Sequence, residues 1–319
     1  MFNKKFAILS LIIVFSFISI VGCSSGTSEN VAPEPATEAQ IETVTISHEL
    51  GEAVVDKNPE RVIVFDYASL DSLDQMGVEI LGLPKSNIPS YLNKFSDNKY
   101  EDVGTLFEPN FEKIYELSPD LIVISGRQRE VYEELSKIAP TVYLVIDTQD
   151  YIGSFSENLN ILGQIFDKEE MVENELNSIK NKMDDLKTRV SDSGENALII
   201  MANDGALSAY GNNSRFNVIH NEFGFPAADD NIEVANHGQS VSFEYILEVN
   251  PDKIFVIDRA AVAGGSQAAE NVLDNDIVKM TRAYQSDNIH YLNSHVWYVS
   301  SGGIQSTNIM IDEISSSLK

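Results

Sequence analysis

A 17-residue segment occurs twice in this chain, and the repetition restricts the possible folds more than any other feature of the sequence. Residues 111–127 read FEKIYELSPDLIVISGR and residues 243–259 read FEYILEVNPDKIFVIDR, with eight of 17 positions identical at a constant offset of 132. Each copy predicts a helix, a Pro-Asp turn that ends the helix, and a buried strand. Such a repeat indicates a duplicated supersecondary unit, so we expect two related lobes.

Short apolar runs alternate with helical patterns in both halves of the chain, which is typical of sheets covered by helices on both faces. Outside the repeat, helices are predicted at 69–76 and 304–318. The predicted strands are 61–65, 79–83, 121–125 and 141–145 in the first half and 197–202, 207–210, 253–257 and 296–300 in the second. We therefore predict an α/β fold of two lobes, each a mostly parallel sheet with flanking helices.

One long amphipathic helix is predicted between the halves, with Asp167 as its N-cap and Gly194 after its last turn. Its apolar stripe consists of Val172, Leu176, Ile179, Met183, Leu186 and Val190. About 23 residues at ~1.5 Å each span roughly 35 Å. An ordinary surface helix is the alternative, but the position favours a bridge. We therefore divide the folded part into an N-terminal lobe (41–166), a bridging helix (167–193) and a C-terminal lobe (194–319).

The first 40 residues have the pattern of an export signal followed by a tether. Lys4 and Lys5 precede an apolar run that ends in a sequence typical of a bacterial lipobox, Ile20 to Cys23. We predict a signal peptide at 1–22, with a membrane-spanning anchor as the alternative. Cys23, the only cysteine, is the predicted lipidation site, and residues 23–40 form the predicted lipidated, flexible tether.

The chain is strongly acidic, which argues against nucleic acid and anionic membrane surfaces as partners. Its formal charge of −27 becomes −29 when the two lysines of the signal peptide are removed. In such a chain the few arginines are the residues to examine for a binding role.

Two arginines occupy equivalent positions in the repeat, because Arg127 and Arg259 each follow a predicted buried strand. The carboxyl ends of the strands are where two such lobes form a cleft. Arg215 lies in a loop rich in Gly, Asn and Ser after the strand that ends at Tyr210. Guanidinium groups that face one cleft suit a large anion with carboxylate or catecholate oxygens. Solvated surface arginines are the alternative.

Aromatic and histidine side chains complete the candidate ligand-binding set. Tyr210 precedes the Arg215 loop, and Trp297, the only tryptophan, lies in a predicted strand. A flat aromatic side chain beside an arginine can stack on a catechol ring, although Trp297 could equally pack in the core. His237 could line the pocket, and Arg129 could join its rim or be solvated.

The repeat also contains a matched pair of acidic residues, Glu112 and Glu244, on its two predicted helices. A glutamate on a helix is usually just solvated. Acidic residues matched across two lobes could instead orient the protein on a two-fold-symmetric partner.

From Cys23 to the last helix, the chain resembles the class III solute-binding proteins of ABC importers. It is most similar to Gram-positive lipoproteins that bind ferric siderophores of the petrobactin and anguibactin type. The segments that carry the resemblance are 58–67 (NPERVIVFDY), 102–106 (DVGTL) and 237–244 (HGQSVSFE). The resemblance implies two lobes joined by one long helix, with only modest lobe movement.

The resemblance also implies the roles of particular residues. Arg127, Arg215 and Arg259 match an arginine triad that meets the anionic ferric complex, and Glu112 and Glu244 match glutamates that dock on arginines of the permease dimer. We therefore expect a monomeric, extracytoplasmic protein, lipid-anchored to the cell membrane, that carries a ferric siderophore of catecholate-citrate type. The siderophore is expected to hold the iron, so no cofactor, no metal site of the protein's own and no enzymatic activity are expected.

Other interpretations concern the cargo or the reaction. A bare Zn²⁺ or Mn²⁺ ion would need converging His and carboxylate ligands, and the five histidines show no such spacing. Residues 238–242 begin like the nucleophile elbow of a hydrolase but lack its closing glycine. Haem, cobalamin or a hydroxamate siderophore is the alternative cargo in the same fold; for haem, Tyr67 and Tyr210 are candidate axial ligands.

Overall fold

The computed structural model describes residues 42–318, which form two five-stranded sheets, one hairpin and flanking helices. The predicted signal peptide, Cys23 and the tether lie outside these residues. The strands are β1 (Thr43–His48), β2 (Gly51–Asp56), β3 (Val62–Val64), β4 (Gly82–Leu83), β5 (Glu101–Asp102), β6 (Leu121–Ile124), β7 (Thr141–Tyr143), β8 (Ala197–Asn203), β9 (Ala206–Tyr210), β10 (Gln239–Val241), β11 (Lys253–Asp258) and β12 (Ile289–Leu292).

The α-helices are α1 (Tyr67–Gln75), α2 (Phe111–Leu117), α3 (Tyr132–Leu135), α4 (Tyr151–Phe166), α5 (Glu169–Ser193), α6 (Val218–Asn221), α7 (Phe243–Val249), α8 (Ala260–Ala263), α9 (Ala269–Leu273), α10 (Arg282–Gln285) and α11 (Ile304–Ser316). Short 3₁₀ segments lie at Ser90–Ser96, Gly126–Val131 and Val278–Met280, and a π-helical turn lies at His295–Val299. Between residues 42 and 318, no helix is both long and apolar enough to cross a membrane.

The two sheets share one arrangement of parallel strands and differ at one edge. The first sheet has the order β5-β4-β3-β6-β7 and is parallel throughout. The second has the order β10-β9-β8-β11-β12, in which β8, β11 and β12 are parallel while β9 runs antiparallel to β8 and β10 to β9. The α/β prediction with two lobes is confirmed, and the second sheet is mixed.

The predicted repeat is a structural repeat. Helices α2 and α7 have the same length and begin at the equivalent residues Phe111 and Phe243. Each is capped by a side chain that accepts a backbone hydrogen bond, and each ends at a residue in the left-handed region, Ser118 (φ 44°) and Asn250 (φ 46°). β6 and β11 then begin at equivalent residues, so both copies bring their last residue, an arginine, to the same edge of a sheet.

The long helix α5 lies between the two halves in sequence, and its six predicted apolar residues are all buried. It begins two residues later than predicted. Asp167 is not its N-cap, because Asp167 has a left-handed backbone (φ 51°) that ends α4 instead. The Asp167 carboxylate accepts hydrogen bonds from Lys57 and Asn58.

The last helix supplies a second connection between the halves. α11 packs against both α5 and α1. The fully buried Asp71 of α1 accepts hydrogen bonds from the backbone N–H groups of Gln305 (2.9 Å) and Ser306 (2.7 Å) in the first turn of α11. The unpaired N–H groups and the positive dipole end of a helix N-terminus offset part of the cost of burying this carboxyl, although burial still raises its pKa. The two lobes therefore pack as one compact unit.

The predicted strand at 296–300 is wrong, because the chain forms the π-helical turn there. The Trp297 indole explains this: its Nε1 donates a hydrogen bond to Glu313 Oε2 (2.7 Å) on α11, which holds the turn against that helix. The backbone N–H of Trp297 bonds the Asn293 carbonyl (3.0 Å) rather than a neighbouring strand.

Candidate functional site

A cleft of about 510 Å³ is lined by residues from both halves of the chain. Asp66, Ser69 and Arg127 line it from the first half, and Arg215, Asn236 and Tyr298 are among the residues from the second half. Asp66 is the N-cap of α1 and accepts hydrogen bonds from both the backbone N–H and the hydroxyl of Ser69. Burial raises the pKa of Asp66, and these hydrogen bonds and the charge of Arg127 oppose that rise.

The three predicted arginines converge on one residue, Tyr298. Arg127 Nη2 and Arg215 Nη2 each donate to the Tyr298 carbonyl oxygen at 3.3 Å, and Arg259 Nε donates to the Tyr298 hydroxyl at 2.9 Å. The Cζ atoms of Arg215 and Arg259 lie 4.4 Å and 5.7 Å from the centroid of the Tyr298 ring. Arg127 and Arg215 line the cleft directly, whereas Arg259 joins them through Tyr298.

Local structure fixes each arginine. Arg127 lies in the 3₁₀ segment after β6, where a capping box between Ser125 and Gln128 orders the backbone. Arg259 follows β11 directly, and its Nη1 donates to Asn203 Oδ1 (2.9 Å). Arg215 follows β9, and its guanidinium lies between the rings of Phe216 (5.1 Å) and Tyr298.

These three arginines have no carboxylate partner among the ion pairs of residues 42–318. Burial, together with the charge of Arg127, lowers the pKa of Arg215, and the oxygens of Tyr298 and Tyr210 only partly offset this. An unneutralised, half-buried cluster of cations is costly unless an anion joins it. The cluster therefore leaves positive charge at the cleft with no carboxylate paired to it.

Tyr298 is the central residue of the cluster, and the sequence reasoning missed it. Burial alone would raise the pKa of its phenol. The hydrogen bond and charge of Arg259, with the charge of Arg215, outweigh burial and hold that pKa below its ordinary value. A strand at 296–300 would not place Tyr298 between the arginines, whereas the π-helical turn that forms there does.

The other predicted ligand-binding residues occupy different surroundings. Tyr210 is buried beneath the cluster, with its ring edge-on to Phe216 and its hydroxyl directed at Met201 Sδ, and burial raises its pKa to about 12. Trp297 borders the cleft but is only 1% exposed, so it packs in the core. His237 is exposed, and its neighbour Asn236 lines the cleft.

Three charged candidates lie on the surface. Glu112 and Glu244 are exposed in the first turns of α2 and α7. The Ser242 hydroxyl helps to hold the pKa of Glu244 below its ordinary value. Arg129 pairs with Glu49 Oε1 at 2.7 Å and donates to the Tyr143 hydroxyl, and it is not among the residues that line the cleft.

The haem and metal alternatives can be compared with this geometry. Tyr67 is buried and donates to the carbonyls of Pro84 and Ser86, and the buried Tyr210 has its hydroxyl directed at Met201 Sδ. Neither tyrosine is among the residues that line the cleft. Within the described range 42–318, no group of three or more His, Cys, Asp and Glu side chains could hold a metal ion.

The fold and the site together define a two-lobed solute-binding protein with a cationic cleft between its lobes. A family model described as periplasmic binding protein matches residues 62–296, and the chain belongs to this family.

Individual relatives agree over nearly the whole chain. The petrobactin-binding protein YclQ of Bacillus subtilis is 45% identical over 99% of both chains. The ferric-anguibactin-binding protein FatB of Vibrio anguillarum is 32% identical over 98% of both. The crystal structure of YclQ superimposes with a TM-score of 0.85 and 48% identity, and the alignment covers 87% of this chain and 99% of the YclQ chain. The crystal structure of the periplasmic catecholate-siderophore binding protein VctP of Vibrio cholerae superimposes with a TM-score of 0.82 and 36% identity, over 86% of this chain and 100% of the VctP chain.

Proposed function

We propose that this protein binds a ferric siderophore of the petrobactin type, with two catecholates and a citrate, and delivers it to an ABC importer. The observation that carries the proposal is the convergence of Arg127, Arg215 and Arg259 on Tyr298 without a carboxylate partner. Two relatives, the petrobactin-binding protein YclQ and the ferric-anguibactin-binding protein FatB, support the same class of cargo.

In this mechanism the siderophore holds the iron and the protein recognises the outside of the complex. Catecholate and citrate oxygens give the ferric complex several negative charges, which the guanidinium groups neutralise with directional hydrogen bonds. Nanomolar affinity requires about −12 kcal/mol. A cleft that is already formed and partly desolvated can supply this, since little ordering is needed on binding.

The experiment that tests the proposal is a titration with ferric petrobactin, followed through the fluorescence of Trp297, which borders the cleft. Arg127→Ala is expected to weaken binding by about 2–5 kcal/mol, because it leaves part of the anionic complex unpaired. Arg129→Ala, an arginine two residues away that pairs with Glu49, is the matched control and is expected to bind like the wild type. Equal affinities for wild type and Arg127→Ala would contradict the proposal.

Delivery is proposed to use Glu112 and Glu244, one exposed glutamate from each lobe, against arginines of the permease dimer. Glu112→Ala combined with Glu244→Ala is expected to abolish uptake of iron-labelled siderophore and to leave the affinity for the siderophore unchanged. Glu116→Ala with Glu248→Ala, one helical turn further along α2 and α7, is the matched control. Uptake that survives in the first double variant would refute the docking role.

Lipid anchoring is proposed at Cys23. Cys23→Ser is expected to lose incorporation of labelled palmitate and to appear in the growth medium instead of the membrane fraction. Labelling that persists in this variant would contradict the assignment.

A further inference from the structure

Phe107 is an apolar side chain held in solvent at the edge of the arginine cluster. It is 73% exposed, more than any other large hydrophobic residue between 42 and 318. Fully burying a phenylalanine is worth about 1.5–3 kcal/mol. The free energy of burying this ring is therefore still available to a bound partner.

The loop that presents Phe107 is ordered by its own hydrogen bonds. The Thr105 hydroxyl accepts from the backbone N–H groups of Phe107 (3.2 Å) and Glu108 (3.0 Å), and Thr105 N donates to the Glu108 carbonyl (3.0 Å). Gly104 closes the loop with φ 111°, and a Cβ there would lie 2.4 Å from the Glu108 oxygen. The exposure of the ring is thus imposed by a defined turn, not by an irregular loop.

The same loop is tied to the binding cluster. The Cζ atom of Arg127 lies 5.9 Å from the centroid of the Phe107 ring. The buried Gln128, next to Arg127, donates its Nε2–H to the Leu106 carbonyl, next to Phe107. Arg127 also donates a hydrogen bond to the Tyr298 carbonyl. The Phe107 ring is therefore held beside the guanidinium of Arg127, which lines the cleft.

We propose that Phe107 is an additional ligand-contacting residue, whose ring covers an aromatic ring of the bound chelate and gives the site a preference for catecholates over chelates without rings. The inference rests on the proposed function. The catecholate ring gains an aromatic neighbour, while its oxygens remain available to Arg127. Offset or edge-to-face aromatic pairs prefer ring centroids about 4.5–7 Å apart. Because the Arg127 Cζ atom lies 5.9 Å from the Phe107 centroid, a catecholate bound to Arg127 comes within reach of such a pair.

The test compares ferric petrobactin, which has catecholate rings, with ferric dicitrate, which has none. Phe107→Ala is expected to weaken ferric petrobactin about tenfold, because the aromatic pair and the apolar cover are both lost. Phe107→Tyr keeps the ring and is expected to restore the affinity. Phe111→Ala removes a second exposed phenylalanine of the same lobe and is the matched control, expected to bind like the wild type. Any affinity for ferric dicitrate is expected to change by less than about twofold in all three variants.

Each outcome separates this inference from the function on which it rests. If Arg127→Ala loses affinity for ferric petrobactin while Phe107→Ala keeps it, the siderophore function stands and the role of Phe107 is wrong. A wild-type protein that binds neither chelate overturns both. Equal losses for the two chelates would contradict a ring contact, and unchanged binding with lost uptake would place Phe107 in importer docking instead.

Discussion

Replacing Arg215 by methionine removes one positive charge from the cleft and keeps an apolar side chain of similar reach. The guanidinium lies against the rings of Tyr298 and Phe216, at 4.4 Å and 5.1 Å from their centroids. The methylene groups of an arginine pack as well as its charge, and methionine can fill that volume. The substitution therefore separates the charge from the packing.

The expected loss follows from the charge and its surroundings. A unit anion about 4 Å from a guanidinium gains ~4 kcal/mol at an effective dielectric constant of about 20. Arg215 is only half-buried, so water screens part of this interaction. We expect affinity for a polyanionic ferric siderophore to fall by about 2–4 kcal/mol, or roughly 30- to 900-fold in Kd.

The assay is the Trp297 fluorescence titration with ferric petrobactin, together with thermal unfolding of the empty protein. Because burial and the charge of Arg127 lower the pKa of Arg215, the cation is already disfavoured in the empty cleft, and Arg215→Met is expected to unfold at or above the wild-type temperature. Affinity within about twofold of the wild type would refute the charge argument. A large drop in unfolding temperature would instead mean that Arg215 is mainly structural.

Three further predictions follow from single contacts. Tyr298→Phe removes the acceptor for Arg259 Nε and is expected to weaken the binding of ferric petrobactin by about 1–2 kcal/mol. If the siderophore alone holds the iron, the visible spectrum of the bound ferric petrobactin is expected to be the same in this variant as in the wild type, and a shifted band would contradict this. Trp297→Phe loses the hydrogen bond to Glu313 and leaves a cavity. Calorimetry is therefore expected to show a free energy of unfolding about 1–3 kcal/mol lower and an unchanged affinity for ferric petrobactin. A loss of affinity without a loss of stability would make Trp297 a ligand contact. Burial raises the pKa of Asp71 from 3.8 to about 6, so its ionisation is expected to remove about 3 kcal/mol of stability as pH rises from about 4 to 7. In urea unfolding, the stability of Asp71→Asn is expected to lack this dependence on pH. If stability falls with pH equally in the wild type and in Asp71→Asn, the role of Asp71 is contradicted.

The repeat made the lobes and two of the three arginines predictable, because a duplicated helix-turn-strand unit carries its own local signals. Residues such as Asn110 and Ser242 cap the helices, and the Pro-Asp turn ends them, so the element boundaries depend on neighbours in sequence. The arginine at the end of each copy then lies beside Tyr298, which Arg127 contacts at its carbonyl and Arg259 at its hydroxyl.

Tyr298 could not be found in this way. The run His295–Val299 alternates too briefly to distinguish a strand from a helical turn, and the contacts that decide its conformation come from Asn293 and from Glu313 on a later helix. The antiparallel edge of the second sheet, by contrast, did have a readable signal. Asp204-Gly205, both with positive φ, is a two-residue turn of the kind that favours a hairpin.

The most direct test of the central claim is a competitive titration of the wild-type protein against ferric petrobactin, ferric bacillibactin, a ferric hydroxamate, haem and Zn²⁺. A cleft whose three guanidinium groups meet at Tyr298 is expected to bind ferric petrobactin most tightly, with nanomolar affinity that weakens as salt is added. Tighter binding of Zn²⁺ or haem, or an affinity for ferric petrobactin that is insensitive to salt, would contradict it.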